Sequence, residues 1–578
     1  MSKKNQFTPP WIEQAPPPRS FRSLFKWGDP LGFKHPNRGM FNMMLEIFGL
    51  TGADFQQPQQ TGMDEIGQEV PVTMDPEQVQ ALTAMVGEEN VQTGTYERLR
   101  ASYGAGTFDA LRLRQHRVEN LPELVLAPRS TEDVQAIVKY CHQHRIPLYI
   151  YGAGSTVTRG TEALQGGICL DMSRHMNRVV GFNEMDQTIT VQAGMPGPEL
   201  ERILNNAPQI LNAKRGYTCG HFPQSFMHSS VGGWVVTRGA GQNSTYYGKI
   251  EDIVLSQEYV TPVGPLKTPG YPRCATGPDF DQIMMGSEGC FGVLTNVTLR
   301  VFRHMPENTR RFAYLFRTWE EGQTVMREVM QGEFGLPSVF RLSDPEETDV
   351  AMRMYHIHGS PADPVLKILD YQPMQRCLLL GSVDGDAGYT RLVAQKIAAI
   401  SCRRQAFRLS PFRVTQRWEK TRFTDPYMRE DLMDFGILID TLECAVTWEQ
   451  APLVHARVRE FVKSRPQTIC MTHMSHMYPQ GTNLYFIFIA RITDINEYLA
   501  LQYGVLEAIQ QSGAAMSHHH GIGKQTAPWL EDQIGTACMD VIRVLKRHFD
   551  PNGIMNPGGT LGLDMSEEQR SRRWGMRT

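Results

Sequence analysis

Three adjacent histidines stand in the segment SHHHGIGK at 517–524, and imidazoles can move protons or bind metal ions. Successive helical residues diverge by about 100°, so three neighbouring side chains cannot all face one site from a regular helix. Gly521 and Gly523 permit a tight backbone, which favours a loop at the start of a helix. A cluster of histidines on the surface is the alternative interpretation.

A tyrosine and an arginine are further candidates. Tyr485 ends the segment YPQGTNLY, and a tyrosine can act as a general acid or base when a nearby imidazole shares its proton. The alternative for Tyr485 is a core aromatic residue in a strand. Arg341 follows an apolar run in LPSVFRLSD, and a buried guanidinium requires an anionic partner. A phosphate suits the fork of its N–H groups, and a structural salt bridge is the alternative.

A glycine-rich segment, YGAGST at 151–156, follows the apolar run IPLYI. Glycines at the end of a strand allow backbone N–H groups to approach a phosphate, and a nest of such donors binds an anion without charged side chains. The spacing is not that of the GxGxxG fingerprint of dinucleotide-binding folds. By itself, a strand-to-loop junction of this kind is more often structural than functional.

The predicted strands and helices around these candidate residues form an α+β pattern. From residue 120, strand-like runs such as ICLDMS, TITVQAG, DIVLSQEYVTP and GVLTNVTLRVF alternate with few helices. The run TEDVQAIVKYCHQH predicts an amphipathic helix with Thr131 as its N-cap, and Asp75 is a second helix-start signal. The chain divides into a tail and helical region, a first α+β domain, a second α+β domain with an antiparallel sheet, and a C-terminal segment: 1–115, 116–303, 304–515 and 516–578.

Composition and charge exclude several classes of protein. The chain has 578 residues and a formal net charge of −3, so no basic excess indicates nucleic acid as a partner. None of its ten cysteines forms a CxxC pair, and we expect reduced thiols.

From the sequence we expect no targeting signal and no membrane-spanning segment. The N-terminus lacks the apolar stretch of a secretory signal, no run reaches the ~18–20 apolar residues of a membrane-spanning helix, and the C-terminus is not a peroxisomal signal. We expect a cytoplasmic protein, with peripheral membrane contact left open. The apolar run MFNMMLEIFGL at 40–50 predicts a buried helix; a surface helix that dips into lipid is the alternative.

Four segments read in order carry a resemblance to a known family. They are GAGST, LDMSR with VQAGMPGPEL, VGGWVVTRGAGQNSTYYGKIEDIV, and TGPDFDQIMMGSEGCFGVLTNVTL. This order resembles the PCMH-type FAD-binding domain of the vanillyl-alcohol-oxidase family, and DPNGIMNPGG at 550–559 resembles its C-terminal signature. The resemblance implies a two-part FAD-binding domain and a substrate domain that caps it. Some members of the family attach FAD covalently through a histidine or cysteine, and the first glycine-rich loop here has neither, so we expect non-covalent FAD. The FAD contacts that it implies are Gly152, Ala153, Gly154, Ser155, Thr156, Ser230, Gly233, Thr237, Glu288 and Val293.

Within that superfamily, the chemistry-bearing residues resemble those of the alkyl-dihydroxyacetonephosphate synthase family. That family carries SHHHGVGK, a YxxGxxxYF segment, an arginine before LxD, and TGHEPDS ahead of VGGW. The residues here that match and would carry catalysis are Tyr485, His518, His519, His520 and His221. Arg341 and, from the segment YMREDL, Arg429 would bind a phosphate. The acids of GHEPDS are replaced by Phe222 and Gln224, and this departure leaves the substrate open.

The resemblance implies an ether-lipid enzyme that exchanges an acyl chain for a fatty alcohol without net redox. It implies lipid substrates, and we expect a homodimer. The alternative is a FAD-dependent 2-hydroxy-acid dehydrogenase or oxidase of the same superfamily, whose GDGNxH segment helps to bind a metal. Tyr485 stands where that histidine would be, so we expect no metal site. A non-catalytic flavin- or lipid-binding scaffold is a third hypothesis.

Overall fold

The structure is a computed structural model that describes residues 11–571. Interpretations of residues 1–10 and of the last seven residues lie outside this range. The strands in chain order are β1 (Val91–Gln92), β2 (Leu124–Leu126), β3 (Leu148–Tyr151), β4 (Ile168–Asp171), β5 (Val179–Asn183), β6 (Thr188–Gln192), β7 (Tyr217–Thr218), β8 (Val254–Thr261), β9 (Gly264–Lys267), β10 (Val293–Arg300), β11 (Phe302–Arg303), β12 (Arg310–Phe316), β13 (Val339–Ser343), β14 (Cys377–Val383), β15 (Phe407–Arg408), β16 (Ile437–Thr447), β17 (Thr468–Ser475) and β18 (Gly481–Arg491).

The helices cover the faces and edges of the sheets. In chain order they are α1 (Phe21–Phe25), α2 (Arg38–Glu46), α3 (Pro76–Val86), α4 (Thr95–Ser102), α5 (Thr107–Arg114), α6 (Thr131–His144), α7 (Gly197–Asn205), α8 (Ala207–Ile210), α9 (Val231–Val236), α10 (Ser244–Tyr247), α11 (Ile250–Ile253), α12 (Phe280–Met284), α13 (Trp319–Met330), α14 (Pro345–Met354), α15 (Ala362–Ile368), α16 (Ala387–Arg403), α17 (Thr415–Thr421), α18 (Met428–Met433), α19 (Ala451–Ser464), α20 (Ile495–Gln511), α21 (Leu530–Ile534), α22 (Thr536–Phe549) and α23 (Glu567–Ser571).

A small sheet with strand order β1-β2-β4-β3 positions the glycine-rich segment. Strands β2, β4 and β3 are parallel, and β3 is an apolar strand that runs directly into the loop at 152–156. Helix α6 precedes β3, but its N-cap is Ser130, whose side chain accepts a hydrogen bond from Asp133 N. The prediction of Thr131 as N-cap was wrong by one residue, because Thr131 already has helical geometry. Asp75 caps α3 as predicted.

A second sheet with the antiparallel order β5-β6-β10-β8-β9 completes the first half of the chain. Its core contains apolar side chains from alternate strand positions, such as Ile189, Val191 and Val297. Helix α9, which contains the VGGW residues, packs against β10 and contributes Trp234 to this core. The glycine loop and α9 therefore face each other across the junction of the first two sheets.

The second half of the chain forms a seven-stranded antiparallel sheet with order β15-β12-β14-β13-β17-β18-β16. Tyr485 on β18 lies directly opposite Glu443 on β16 and His473 on β17. His473 is in turn opposite Ser343 on β13, two residues after Arg341. Since directly opposed residues share a face and side chains alternate along a strand, four neighbouring strands bring Glu443, Tyr485, His473 and Arg341 to one face.

The apolar run at 40–50 forms the buried helix that was predicted. Asn37 caps α2, and Met40, Met43 and Met44 pack with Leu432 and apolar residues of the third sheet. The helix contributes these methionines to a hydrophobic core. In the described residues 11–571, no helix is long and apolar enough to cross a membrane. All ten cysteines are free thiols, as the sequence indicated.

Candidate active site

The three histidines are held by one buried carboxylate. Glu443 accepts hydrogen bonds from the backbone N–H groups of His518, His519 and His520 at 2.6, 3.0 and 3.0 Å. It also accepts from Ser517 Oγ at 2.9 Å and from an adjacent asparagine on β18. The segment 517–524 is a loop that begins at this carboxylate, as its glycines indicated, and most of its surface is enclosed. The alternative of a surface histidine cluster is therefore wrong.

His518 lies at the inner end of this loop. Its Nε2 is 2.7 Å from the hydroxyl of Tyr478, and its carbonyl oxygen accepts a hydrogen bond from Lys249 Nζ. Its Nδ1 lies 3.1 Å from Nδ1 of His519. The ring of His476 is 5.1 Å from that of His518 and 4.9 Å from that of His519, so these three imidazoles lie together.

Tyr485 is enclosed by imidazole rings on both sides. His473 stacks on it at 4.9 Å, His519 lies parallel to it at 6.0 Å, and His520 meets it edge-on at 5.6 Å. Burial, with the nearby Glu443, raises the pKa of Tyr485 to about 12. Its hydroxyl donates to Thr441 Oγ1 at 3.1 Å and not to an imidazole nitrogen, so the proton sharing expected from the sequence is not made in this state.

Three imidazoles of this cluster, those of His518, His519 and His476, are uncharged at neutral pH. Burial lowers the pKa of His518, His519 and His476 well below the ordinary value, and the neighbouring imidazoles and Lys249 lower it further. Neutral imidazoles can accept a proton, while Tyr485 holds one. The cluster therefore contains both partners of an acid–base pair at pH 7.

Arg341 is already paired with a carboxylate. Its Nη2 lies 2.6 Å from Glu347, whose other close contact is His473 Nδ1 at 3.2 Å. Although burial raises the pKa of Glu347, Arg341 and His473 lower it to about 2, so the pair is ionic. The guanidinium keeps part of its surface open and lies 5.8 Å from the ring of Trp418. The salt bridge considered from the sequence is thus present, and the phosphate role remains a proposal.

The other two residues proposed from the resemblance lie in closed surroundings. Arg429 donates to the carbonyl oxygens of Ala105 and Phe25 and lies 3.3 Å from Glu430, which leaves few donors for a phosphate. His221 is fully buried, and neither ring nitrogen has a hydrogen-bond partner. Its ring lies 4.7 Å from that of Trp234 on α9, and burial lowers its pKa to about 3.

The glycine-rich loop has the geometry of an anion cradle. Gly154 has a φ of +70°, which only glycine adopts without strain, and a Cβ at Gly152 would overlap Ser230 Oγ. Among residues 11–571, no group accepts a hydrogen bond from the backbone N–H of Ala153, Gly154 or Ser155. Ser230 caps α9 by accepting from Gly233 N. These residues, with Thr156, therefore fit a phosphate-bearing cofactor such as FAD.

A second buried carboxylate connects the cradle to the histidine loop. Glu288 accepts hydrogen bonds from Ile522 N and Gly523 N at 2.6 and 2.7 Å, and burial raises its pKa to about 7. A Cβ at Gly521 would lie between Glu288 and Thr237. Val293, by contrast, packs its side chain wholly in the core beside β3, so only its backbone could face a cofactor.

Among the described residues, one group has ligand atoms close enough to hold a metal ion, and it bears on the expectation of no metal site. Ligand atoms of Glu443, His519 and His520 all lie within 4.8 Å of one another. However, both carboxylate oxygens of Glu443 already accept N–H and O–H groups of the loop. A metal would have to compete with these hydrogen bonds, so we interpret the group as a loop anchor.

The sequence did not indicate the residues that organise the site. These are Glu443, Glu347, His473 and His476. The available signal was a charged or imidazole side chain inside an otherwise apolar strand, as in the runs TLECAV and TICMTHMSH. Such a side chain is costly to bury without a partner, and the partner lies far away in the chain.

Comparison with known proteins adds family and fold. The FAD binding domain family matches residues 122–268, and the C-terminal domain of FAD linked oxidases matches residues 305–560. The chain is 29% identical over 502 residues to an alkyldihydroxyacetonephosphate synthase of Dictyostelium discoideum, covering 83% of this chain and 80% of that protein. It is 30% identical to an uncharacterized FAD-linked oxidoreductase of Escherichia coli, covering 76% and 88%. A solved structure of an alkyldihydroxyacetonephosphate synthase superposes with a TM-score of 0.77 at 25% identity, over 92% of this chain and 98% of that one.

Proposed function

The chain belongs to the family of FAD-linked oxidoreductases, and from that premise we propose that it exchanges the acyl chain of acyl-dihydroxyacetonephosphate for a fatty alcohol. The reaction gives alkyl-dihydroxyacetonephosphate and a free fatty acid. The bond between the substrate carbon and the acyl oxygen breaks, the alcohol oxygen bonds to that carbon, and the alcohol proton leaves with the carboxylic acid. Atoms and electrons balance without an external electron acceptor.

The observation that carries this proposal is Tyr485 enclosed by His473, His519 and His520. An exchange without net oxidation or reduction requires proton transfer at one carbon and needs no external electron acceptor. The site supplies protonated Tyr485 beside the neutral imidazole of His519, so a proton can be donated and accepted within one enclosed cluster. The similarity to alkyldihydroxyacetonephosphate synthases over most of both chains supports the same reaction.

In this proposal, the face of the seven-stranded sheet that carries Arg341 and Tyr485 sets the orientation of the substrate. Arg341 receives the phosphate with the N–H donors that do not contact Glu347. Tyr485 lies farther along the same face, toward Glu443, and His519 of the histidine loop lies parallel to its ring. The carbon that carries the acyl ester then lies beside the imidazoles. Enclosure of the cluster excludes water, which would otherwise hydrolyse the ester.

FAD is the cofactor of this enzyme. When bound, it would supply an electron-accepting ring system. The chain would hold its pyrophosphate at the unpartnered N–H groups of the loop at 152–156 and its remaining length along Ser230, Gly233 and Thr237. Glu288, through Gly523 and Ile522, keeps the histidine loop at the end of this path.

The experiment mixes FAD-loaded protein with palmitoyl-dihydroxyacetonephosphate and labelled hexadecanol, without an electron acceptor, and resolves the lipids by mass spectrometry. We expect labelled alkyl-dihydroxyacetonephosphate and palmitic acid in equal amounts. A protein that forms no ether but whose flavin is bleached anaerobically by a 2-hydroxy acid is a dehydrogenase instead. The similarity to a FAD-linked oxidoreductase and the group Glu443, His519 and His520 would then gain weight.

A further inference from the structure

Arg422 is a guanidinium in the second half of the chain that has no carboxylate partner. It follows α17, and its Nη1 donates to Asn243 Oδ1 at 2.9 Å. Its Nε is buried, and no described residue accepts a hydrogen bond from it. Three aromatic rings surround the charge: Phe423 at 4.7 Å, Phe222 at 5.4 Å and Trp418 at 5.6 Å.

Other enclosed arginines of the described chain differ in this respect. Each fully buried one has a carboxylate oxygen within 3.8 Å: Arg22, Arg98, Arg112, Arg114, Arg159, Arg376 and Arg429. The acids nearest to Arg422 are engaged elsewhere, because Glu419 pairs with Arg311 and Asp384 accepts from Thr309. Burial lowers the pKa of Arg422 to about 10, a cost that these distant acids only partly offset.

The two departures from the resembled pattern both contact this arginine. Where GHEPDS has acids, this chain has Phe222, whose ring faces the guanidinium, and Gln224, whose amide donates to the Arg422 carbonyl oxygen. A carboxylate in place of Phe222, whose ring lies 5.4 Å from the guanidinium, would stand close enough to neutralise the charge. The substitutions therefore leave the positive charge available to another anion.

The position of Arg422 connects it to the candidate active site. The guanidinium groups of Arg422 and Arg341 both face the ring of Trp418. On its other side, Arg422 binds Asn243, the residue before Ser244, whose hydroxyl lies 2.7 Å from His476 Nδ1. The charge is thus linked through Trp418 to the proposed phosphate ligand, and through Asn243 and Ser244 to the imidazole cluster.

We propose that Arg422 is the second ligand of the substrate's phosphate, acting together with Arg341. The proposal rests on the proposed function for the identity of the substrate, but the anion site itself is argued from contacts alone. In Arg429, which the resemblance suggested, both Nη atoms donate to carbonyl oxygens and one lies near Glu430, so Nε is the donor left without a partner among the described residues. Arg422 offers Nε and Nη2 as a planar fork, which matches two phosphate oxygens.

The first test measures inorganic phosphate binding to the full-length, FAD-loaded protein by titration calorimetry at constant ionic strength. Arg422→Gln removes the charge, Arg422→Lys keeps it without the fork, and Phe222→Glu places a carboxylate against it. Arg413→Gln is the matched control, because Arg413 is an exposed arginine of the same segment. We expect Arg422→Gln and Phe222→Glu to weaken binding about tenfold or more, as for loss of a charge-assisted hydrogen bond, and the control to bind within about twofold.

Several outcomes would overturn the proposal. They are phosphate binding by Arg422→Gln within about twofold of the unaltered protein, tighter binding by Phe222→Glu, or no saturable binding by the unaltered protein at tens of millimolar phosphate. If Arg422→Gln does not retain FAD, Phe222→Glu and Arg422→Lys decide, because both keep a full-sized side chain in place.

A kinetic test separates this inference from the proposed function. With acyl-dihydroxyacetonephosphate, Arg422→Lys should raise KM about tenfold while kcat stays within about threefold, since the residue binds and does not react. If the unaltered protein makes ether lipid and Arg422→Lys has an unchanged KM, the inference about Arg422 is wrong and the proposed function stands. If the unaltered protein makes no ether lipid but Arg422→Gln loses phosphate binding, the proposed function is wrong and the anion site stands.

Discussion

The cofactor cradle and the imidazole cluster lie side by side but are built in opposite ways. The cradle at 152–156 consists of backbone N–H groups and glycines, with few titratable side chains. The cluster around Tyr485 consists of titratable side chains whose backbone is held by Glu443. The cradle is formed by consecutive residues, whereas the cluster assembles residues separated by more than 70 positions.

This contrast indicates how the two tasks are divided. A phosphate-bearing cofactor can be bound by donors whose geometry is fixed by local backbone, so sequence spacing suffices. Proton transfer requires shifted pKa values, and these arise from burial among side chains that only the fold brings together. Glu288 and Glu443 join the regions, because they hold the two ends of the histidine loop.

The largest effect is expected when one hydroxyl is removed from the imidazole cluster, because this tests whether proton transfer is separate from cofactor binding. Tyr485→Phe should lower kcat for ether formation by roughly 10²–10⁴, the usual contribution of a general acid or base, and should retain FAD. Product formation by mass spectrometry and the flavin absorbance of the purified protein are the two measurements. An active Tyr485→Phe enzyme would remove Tyr485 from the mechanism.

The reciprocal test disturbs the cradle alone. Gly152→Ala places a Cβ against Ser230 Oγ, so we expect FAD affinity to fall about 100-fold. The readout is FAD fluorescence on titrating the apoprotein. Gly181→Ala is the control, because a Cβ there meets nothing within 4 Å. Equal FAD affinity in both variants would contradict the assignment of the cradle.

An intermediate effect is expected where a carboxylate organises the cluster. Glu443→Gln loses one acceptor oxygen and the charge, so the histidine loop should loosen and kcat should fall about tenfold to 100-fold at unchanged FAD content. Glu449→Gln, an exposed acid after the same strand, is the control. If a chelator inactivates the unaltered enzyme to the level of Glu443→Gln, Glu443 is a metal ligand and not a loop anchor.

The smallest effect is a pH dependence of stability. Burial lowers the pKa of His221 from 6.5 to about 3, so below pH 6.5 the unfolded chain takes up a proton that the folded chain refuses. Stability is present above pH 6.5 and is lost as the pH falls, by about 1.4 kcal/mol at pH 5.5. Glu288 has the opposite sign, since its pKa is raised to about 7.

Two histidine variants separate the contribution of His221 to the pH dependence of stability from that of other groups. We expect the denaturant midpoint of His221→Asn to depend less on pH between 5.5 and 7.5 than that of the unaltered protein. His548→Asn, which changes an exposed histidine, should keep the original dependence. Identical pH dependence in all three proteins would show that His221 is accessible to protons in the folded state.

Much of the fold was predictable because local patterns specify it. The strand β18 follows a continuous apolar run, helices such as α13 and α19 follow amphipathic spacing, and the buried helix α2 follows its apolar composition. The N-cap of α6 was misplaced by one residue, because Ser130 and Thr131 carry equivalent hydroxyls and only backbone angles distinguish them.

The residue types of the site could be read from the amino-acid sequence: the glycine loop, the three histidines, Tyr485 and Arg341. The partners of these residues could not, because they depend on the three-dimensional fold. In the folded protein, Arg341 forms a salt bridge with Glu347, and Arg429 donates to carbonyl oxygens. Glu443 accepts hydrogen bonds from the histidine loop, and aromatic rings surround Arg422. The physical reason is that a buried charge or imidazole is governed by whatever the fold places within a few ångströms, and those neighbours are distant in sequence.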